Sequence, residues 1–521
     1  MLALLLLYGV GLTRDAFEPW VGMHDWNGAF FSQLARNLLR YPLSLHHGMP
    51  VVAVGATVPP PEEYSIYATH PPGLVWLVAA AFKFFGESES VARLVPIAAS
   101  LGSLVLLVSL VERAVGRPAA LLCGLIYALM PMSVYFGRMV NHEAVCLFSM
   151  LAGAATWAVA VDSAAAPRRR AAAWLGWALA LSFGIWVDWV VVLFVALSGV
   201  WGVVQFRRGR IGGRALAATL VIPAAATAGM VSFIVYEGLN GTWGDLAAIF
   251  SSRAGRAAGD VLERDAAAPG TVWTYVIENL TRPVALLAAI GAVAWVRRCR
   301  RGRVAAPSAE DARGRAARAG LMLISMTGLL WLAIFWRQFE RHNYWLFYLG
   351  PAAAILAADA LIHLGGWAAT SVVRGAGRRL LRLGAVGSVL LVTGGLELAR
   401  TRDYFARTSR PEIEVSTWRA IHERTKTGDR LLVYQDPVRT EQRGGYRFRN
   451  LVPPQWAYYL DRAFDVERDF ARVIDRSDSH ALFILPVRDA IARGEALAEL
   501  RRRFHERLEG TRVVFDLRQK R

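Results

Sequence analysis

The stretch Pro72-Gly73-Leu74-Val75-Trp76-Leu77-Val78-Ala79-Ala80-Ala81-Phe82-Lys83-Phe84-Phe85-Gly86 decides how this chain is laid out. It is apolar at nearly every position, yet it is short for a helix that must cross about 30 Å of hydrocarbon. Its neighbours settle its role. Spans of suitable length and hydropathy are read at 1–13, 91–112, 118–137, 143–162, 171–187, 189–206, 214–236, 282–297, 319–337, 344–364 and 380–398, about eleven in all. If 72–85 lies along the membrane surface, the loops Glu112–Arg117, Pro167–Arg170, Arg207–Arg214, Arg297–Arg318 and Arg374–Arg382 share one side and carry most of the arginine of this half. The positive-inside rule then holds throughout, with those loops cytoplasmic. If 72–85 crossed, every later loop would change sides and the rule would fail. The segment is therefore read as juxtamembrane.

Composition agrees with a polytopic membrane protein. Of 521 residues, 55% are hydrophobic and 19% charged, and the mean hydropathy is +0.33, values that exclude a disordered chain. The net charge of +18 is almost all arginine, since lysine occurs only at Lys83, Lys426 and Lys520. The arginines punctuate apolar runs, so topology accounts for them and nucleic-acid binding is not expected. Cys123, Cys146 and Cys299 form no disulfide framework and no CxxC metal spacing. The opening segment Met1–Leu12 has no charged n-region or cleavage site and reads as a first helix shortened at its start.

Between the first span and Pro72 the chain looks soluble. Trp26–Leu39 repeats apolar residues at helical spacing and is expected as an amphipathic helix on the membrane. Pro42–Pro61 is rich in Pro and Gly and reads as loop. The expected division is a membrane domain over 1–399, with its first outer loop at about 14–90, and a small extracytoplasmic α/β domain over 400–521. In the latter, Thr417–Lys426, Val466–Ile474 and Arg488–Arg507 read as helices. Gly428–Tyr434, Ala457–Leu460, Ala481–Leu485 and Arg512–Phe515 read as strands. The fold class is thus mainly α: a membrane helix bundle with juxtamembrane helices and a small C-terminal α/β domain.

The candidate chemistry sits at outer helix ends. Asp25 opens the helix after the first span, beside His24. It suits a helix N-terminus, and it also suits a general base held at the membrane face. Glu143, in Arg138-Met139-Val140-Asn141-His142-Glu143, lies at another outer loop end, so two carboxylates could converge on one cleft. His70 precedes two prolines that start a helix well. Arg93, Arg138, Arg337 and Arg341 lie at span ends, with His342 and Tyr344 close to the last of them. Arginine at such places can simply snorkel, and it can also hold a phosphate by charge-assisted hydrogen bonds. Asp188, between two apolar spans, reads as a tight turn, with an intramembrane role as the alternative. No P-loop, dinucleotide-binding glycine pattern, HExxH or GxSxG occurs in a plausible setting.

The order of these features resembles the GT-C superfamily of membrane glycosyltransferases. It comprises Asp25 after the first span, His70-Pro71-Pro72 with a short helix ending Phe85-Gly86, Ser90-Val91-Ala92-Arg93-Leu94 opening a span, a helix holding Pro131, an acidic residue after Arg138, and Arg341-His342-Asn343-Tyr344-Trp345 with Pro351. The nearest branch is glycosyltransferase family 39, which includes protein O-mannosyltransferases and the aminoarabinose transferases acting on lipid A. The resemblance covers about residues 1–400. It implies transfer of a sugar from a polyprenyl-phosphate donor to an extracytoplasmic acceptor, which is a glycolipid, a cell-wall glycan or a protein, at the outer face of a bacterial inner membrane. Carried over, Asp25 matches the catalytic first-loop Asp and Glu143 the second-loop acid. His24, His70, Arg93, Arg138, Arg337, Arg341, His342 and Tyr344 fall to substrate binding. A divalent metal is compatible with Asp25, Glu143, His24 and His142, and no cofactor is required. Many relatives carry Asp-Glu in the first loop, whereas Asp25 is followed by Trp26. The competing readings are a transporter or flippase of lipid-linked sugars, which calls for broken helices and polar groups deep in the spans, and a non-catalytic membrane scaffold.

Overall fold

The computed structural model describes all residues except 163, 254–268, 301–311, 337–338, 340–341, 373–376, 407–411, 435–453, 468, 493, 496 and 521. The protein is mainly helical and multi-pass. Seven helices are long and apolar enough to cross a membrane: Glu89–Ala114, His142–Ala160, Pro167–Val187, Trp189–Arg207, Gly213–Gly238, Gly314–Ile334 and Asn343–Leu364. Two bent pairs bring the number to nine among the described residues, Arg117–Leu129 with Pro131–Gly137 at 62° and Val272–Leu280 with Arg282–Arg297 at 99°. Two of the expected eleven stay outside this set. Leu2–Thr13 has only 12 residues, and 380–398 lies inside the 30-residue helix Gly377–Ala406.

Both bends have local causes. The expected straight span over 118–137 breaks at Met130, whose φ of −62° and ψ of 127° are extended, because a residue before proline is pushed out of the helical region. Pro131 has no N–H to give the Tyr127 carbonyl four residues back, and the Ser133 hydroxyl bonds that carbonyl in its place; the Tyr8 hydroxyl ties down the next helix by donating to Ser133 O at 2.8 Å. In the second pair Thr281 sits at φ 57°, an unusual place for a β-branched residue. Its hydroxyl bonds the buried Glu397 carboxylate, and Tyr404 donates to Asn279 Oδ1 at 2.7 Å. The expected span 282–297 is therefore the second arm of a pair bent by nearly a right angle.

The chain groups into two compact units. The first comprises Met1–Ala16, Thr69–Leu74 and Arg93–Ala406 and holds the spans. Arg93 and Arg138 are buried in it. They donate to Ala16 O at 2.9 Å and to Arg14 O at 2.6 Å, just past the C-terminal end of the first helix, where cations are favoured. Arg138 also lies 4.4 Å over the Phe405 ring.

The second unit comprises Phe17–Ala68, Val75–Ala92 and Arg407–Arg521. The first loop and the C-terminal segment thus share one body, a grouping that a division near residue 400 does not contain. Helix Asp25–Arg40, expected as an amphipathic surface helix, has both faces covered by protein: Asn27, Ser32, Gln33, Arg36 and Asn37 are all buried along with its apolar face. Arg36 lies at its hub, with Nε donating to Glu87 at 2.6 Å, Nη1 to Gln33 at 2.9 Å and to Tyr458 O at 2.8 Å. Asn37 donates to Val51 O and Ala53 O at 2.9 and 3.0 Å, so it holds the short ladder Val51–Val52 with Ser65–Ile66 against the helix.

The C-terminal segment of this unit folds as a five-stranded sheet, in the order Ala463–Glu467, Arg430–Tyr434, Leu482–Pro486, Arg512–Lys520, Phe504–Glu509. The first three strands are parallel and the last two antiparallel. The strands expected at 428–434, 481–485 and 512–515 are present. Three expectations are overturned. Ala457–Leu460 belongs to helix Pro454–Leu460; its aromatic residues pack a helix face against Asp25–Arg40, and their strand propensity yields to that packing. Val466–Ile474 is the end of strand Ala463–Glu467 followed by helix Phe470–Asp475. Arg488–Arg507 is two short helices, Val487–Ala492 and Ala498–Arg503, then strand Phe504–Glu509.

At the rim of this sheet Asp465 accepts from Arg430 at 3.0 and 3.1 Å, from Arg476 at 2.6 Å, and pairs with His480 Nε2 at 2.8 Å. Burial alone would raise its pKa, but the bonds from His480 and Arg430 outweigh burial and hold the carboxyl well below the ordinary range. A depressed carboxylate stabilises the fold above its unfolded pKa of about 3.9, and the contribution fades as pH falls from there toward the folded value. Acid unfolding of the wild type, followed by near-UV circular dichroism, is therefore expected to steepen below about pH 4. Asp465→Asn is expected to be less stable at neutral pH and to flatten that acid limb.

Candidate active site

Within the membrane unit, three loop ends meet. The first is Thr69-His70-Pro71-Pro72-Gly73. Pro71 biases His70 toward extended backbone, and Gly73 lets the segment lie against the end of helix Pro167–Val187: a Cβ on Gly73 would fall 2.5 Å from Trp186 O. The Trp189 indole ties the segment from the other side, donating to Thr69 O at 3.0 Å. The second is Asp188, a one-residue link between two helices with φ −161° and ψ 156°. Its carboxylate accepts the Trp189 backbone N–H at 2.8 Å and so caps the next helix. The third is the start of helix His142–Ala160, with Asn141 at the position before it making no side-chain cap bond and Glu143 in a first turn that favours negative charge.

These restraints bring His70 and His142 together with Asp188. His70 Nδ1 lies 2.8 Å from Asp188 Oδ1. The two imidazoles stack at 4.5 Å and 17°, and His142 Nδ1 lies 3.0 Å from Asn141 Oδ1. His142, Glu143 and Asp188 are 2, 3 and 2% exposed, so the charges are withdrawn from water. Glu143 Oε2 is buried with no hydrogen-bond partner among the described residues. A group of three side chains whose ligand atoms lie within 4.8 Å of one another is formed by His70, His142 and Asp188. Of the four metal candidates read from sequence it contains His142. Asp188 is the residue whose part was missed. The signal available was a lone carboxylate between two long apolar runs, which in a membrane protein defaults to a functional site.

The other candidates fall as follows. Arg93 and Arg138 hold backbone carbonyls, as described above. His342 stacks on Trp345 at 4.6 Å and 13°. Tyr344 is buried against Phe136 at 6.1 Å in the 3-10 helix Asn343–Leu349. Arg337 and Arg341 lie outside the described residues. Asp25 and His24 belong to the other unit, where both are 8% exposed. Asp25 Oδ2 accepts the Gly22 N–H at 2.8 Å, a turn at the start of its helix.

A mainly helical bundle of broken and straight spans with a small C-terminal sheet is the fold seen in the ArnT structures, a fold of GT-C type. The comparisons place the chain among particular proteins of that fold. The crystal structure of ArnT from Cupriavidus metallidurans bound to undecaprenyl phosphate matches with a TM-score of 0.66 and 14% identity, over 99% of this chain and 97% of that one. The apo oligosaccharyltransferase of Archaeoglobus fulgidus matches with a TM-score of 0.56 and 11% identity, over 95% of this chain and 71% of that one. Residues 69–234 match the family described as dolichyl-phosphate-mannose-protein mannosyltransferase. No curated protein sequence matches the chain.

The Gly73 contact offers a direct check on how the cluster is assembled. Gly73→Val must push Thr69–Leu74 away from Trp186, at a cost of about 1–3 kcal/mol for overpacking. A clear drop in melting temperature in detergent is expected. Gly229→Ala, where a Cβ meets nothing within 4 Å, is expected to leave it nearly unchanged.

Proposed function

We propose that the protein is a membrane glycosyltransferase that moves a sugar from a polyprenyl-phosphate donor to an acceptor outside the cytoplasm. The observation that carries the proposal is the match over nearly the whole chain to an ArnT structure bound to undecaprenyl phosphate. The arginine-rich loops support an outward-facing first loop and C-terminal segment in a bacterial inner membrane. A glycolipid, a cell-wall glycan and a protein all present the hydroxyl or amine that such a reaction needs.

Asp25 is proposed as the general base. The acceptor O–H or N–H gives its proton to the Asp25 carboxylate as the nucleophile bonds to the anomeric carbon. The bond from that carbon to the phosphate oxygen breaks, and the lipid phosphate departs with the electron pair. One displacement inverts the anomeric centre. Glu143 is proposed as the second acid, orienting the acceptor. Arg138, Arg337 or Arg341 is proposed to stabilise the leaving phosphate, with His24, His70, Arg93, His342 and Tyr344 proposed for substrate binding.

A second reading, a transporter of lipid-linked sugars, draws on the two bent helix pairs and the buried Glu397 beside Thr281, features that transporters use. Turnover separates the two. With a panel of polyprenyl-phosphate sugars in nanodiscs, the wild type is expected to release polyprenyl phosphate when an acceptor is supplied. Asp25→Asn is expected to lose about 10²–10⁴-fold in rate with an unchanged melting temperature. Glu143→Gln is expected to be impaired as well. Equal rates in wild type and Asp25→Asn would remove the base from Asp25. Movement of intact donor across the bilayer without release would favour the transporter.

A further inference from the structure

We propose that His70, His142 and Asp188 are ligands of a transition-metal dication of the Zn²⁺ class. The inference does not depend on the transferase reading, because it concerns binding and is tested by binding.

The donor set is the first argument. Two imidazoles and one carboxylate are the ligands that Zn²⁺ and its neighbours prefer, while Mg²⁺ and Ca²⁺ take oxygen. The ligand atoms already lie within 4.8 Å of one another. Three protein ligands leave a fourth position for water or an anionic oxygen.

Preorganisation is the second. Each ligand stands at the end of a different helix and is fixed from outside the cluster. His70 is fixed by the Gly73 contact on Trp186 and by the Trp189 bond to Thr69 O. Asp188 is fixed by its cap on Trp189. His142 Nδ1 is oriented by Asn141 Oδ1 at 3.0 Å. A partner on one ring nitrogen is the outer-partner arrangement that metal-bound histidines use.

Charge is the third. Asp188 and Glu143 are both buried and interact electrostatically. Glu143 Oε2, nine-tenths and more buried and one residue from His142, has no hydrogen-bond partner among the described residues. Burying two carboxylates is costly unless a counter-charge is close. A dication among His70, His142 and Asp188 would supply it, and it would be the largest local charge in the cluster.

The test is made on the full chain in detergent, with any affinity tag removed. Protein stripped with a chelator is equilibrated with ZnCl₂, washed, and its metal measured by mass spectrometry. One Zn²⁺ per chain is expected for the wild type, with loss of stoichiometric binding in His70→Ala and Asp188→Asn. Asn141→Ala, which alters only the orienting partner, is expected to bind about 10–100-fold more weakly. A wild type that retains no metal would overturn the proposal, as would retention at full stoichiometry by both ligand variants. A second variant guards against loss of folding. With Co²⁺, His142→Cys is expected to gain a thiolate-to-cobalt charge-transfer band in the near ultraviolet that the wild type lacks, despite its own Cys123 and Cys146. A folded His142→Cys protein without that band would show that position 142 is not a ligand.

Discussion

Hydrocarbon offers no hydrogen-bond partner to a peptide group, and most of the membrane unit can be read as a response to that constraint. Straight spans satisfy it internally. Wherever a helix stops or bends, a side chain from elsewhere must take up the orphaned carbonyl or amide. Ser133 takes up the Tyr127 carbonyl at the Met130 break, and Asp188 caps the helix that follows it. Arg93 and Arg138 do so past the end of the first helix. Polar residues gather at such places because the backbone needs them there, and chemistry can then use what the backbone has collected. The cluster of His70, His142 and Asp188 is built from three helix ends of this kind.

The second unit solves a different problem. It buries a polar helix face in its interior. Arg36 bonds Glu87, Gln33 and Tyr458 O, and its guanidinium lies 4.2 Å over the Tyr458 ring. Glu89 accepts from Tyr459 at 2.9 Å and from Arg419 at 2.9 Å. The bonds to Tyr458, Tyr459 and Arg419 join parts of the chain 422, 370 and 330 residues apart. A buried network of this sort specifies one arrangement strongly, because each unpaired member would carry the full cost of desolvation.

Much of the bundle was legible in sequence because membrane spans announce themselves by length and hydropathy alone. The helix over 72–85 is present as Gly73–Phe85, and most spans lie within a few residues of where hydropathy puts them. The bends were not legible as bends. Pro131 signals a break only once the run around it is known to be one span, and Pro283, two residues after Thr281, marks a helix start without saying at what angle the helix leaves. The helix at Asp25–Arg40 read as amphipathic for membrane, because periodicity reports that one face is apolar and is silent on what covers the polar one. In the C-terminal segment, Tyr458 and Tyr459 looked like strand residues; only their contact with a helix of the first loop makes them helical.

For the site, the sequence by itself determined the inventory: His70 before two prolines, His142 and Glu143 after a loop, and a carboxylate at 188 between apolar runs. Residue type and distance from a span end are local properties, and local properties can be read along a chain. Tertiary structure decided the grouping. It placed Asp188 with the two histidines, gave Arg93 and Arg138 backbone carbonyls to hold, and joined the first loop to the C-terminal segment in one unit. Those outcomes rest on a glycine that lets two backbones touch and on hydrogen bonds between residues far apart in the chain, from 77 positions for Arg93 and Ala16 to 422 for Arg36 and Tyr458. Neither a close approach nor a long-range bond leaves a periodic trace in sequence, so only the folded chain could reveal which polar residues face each other.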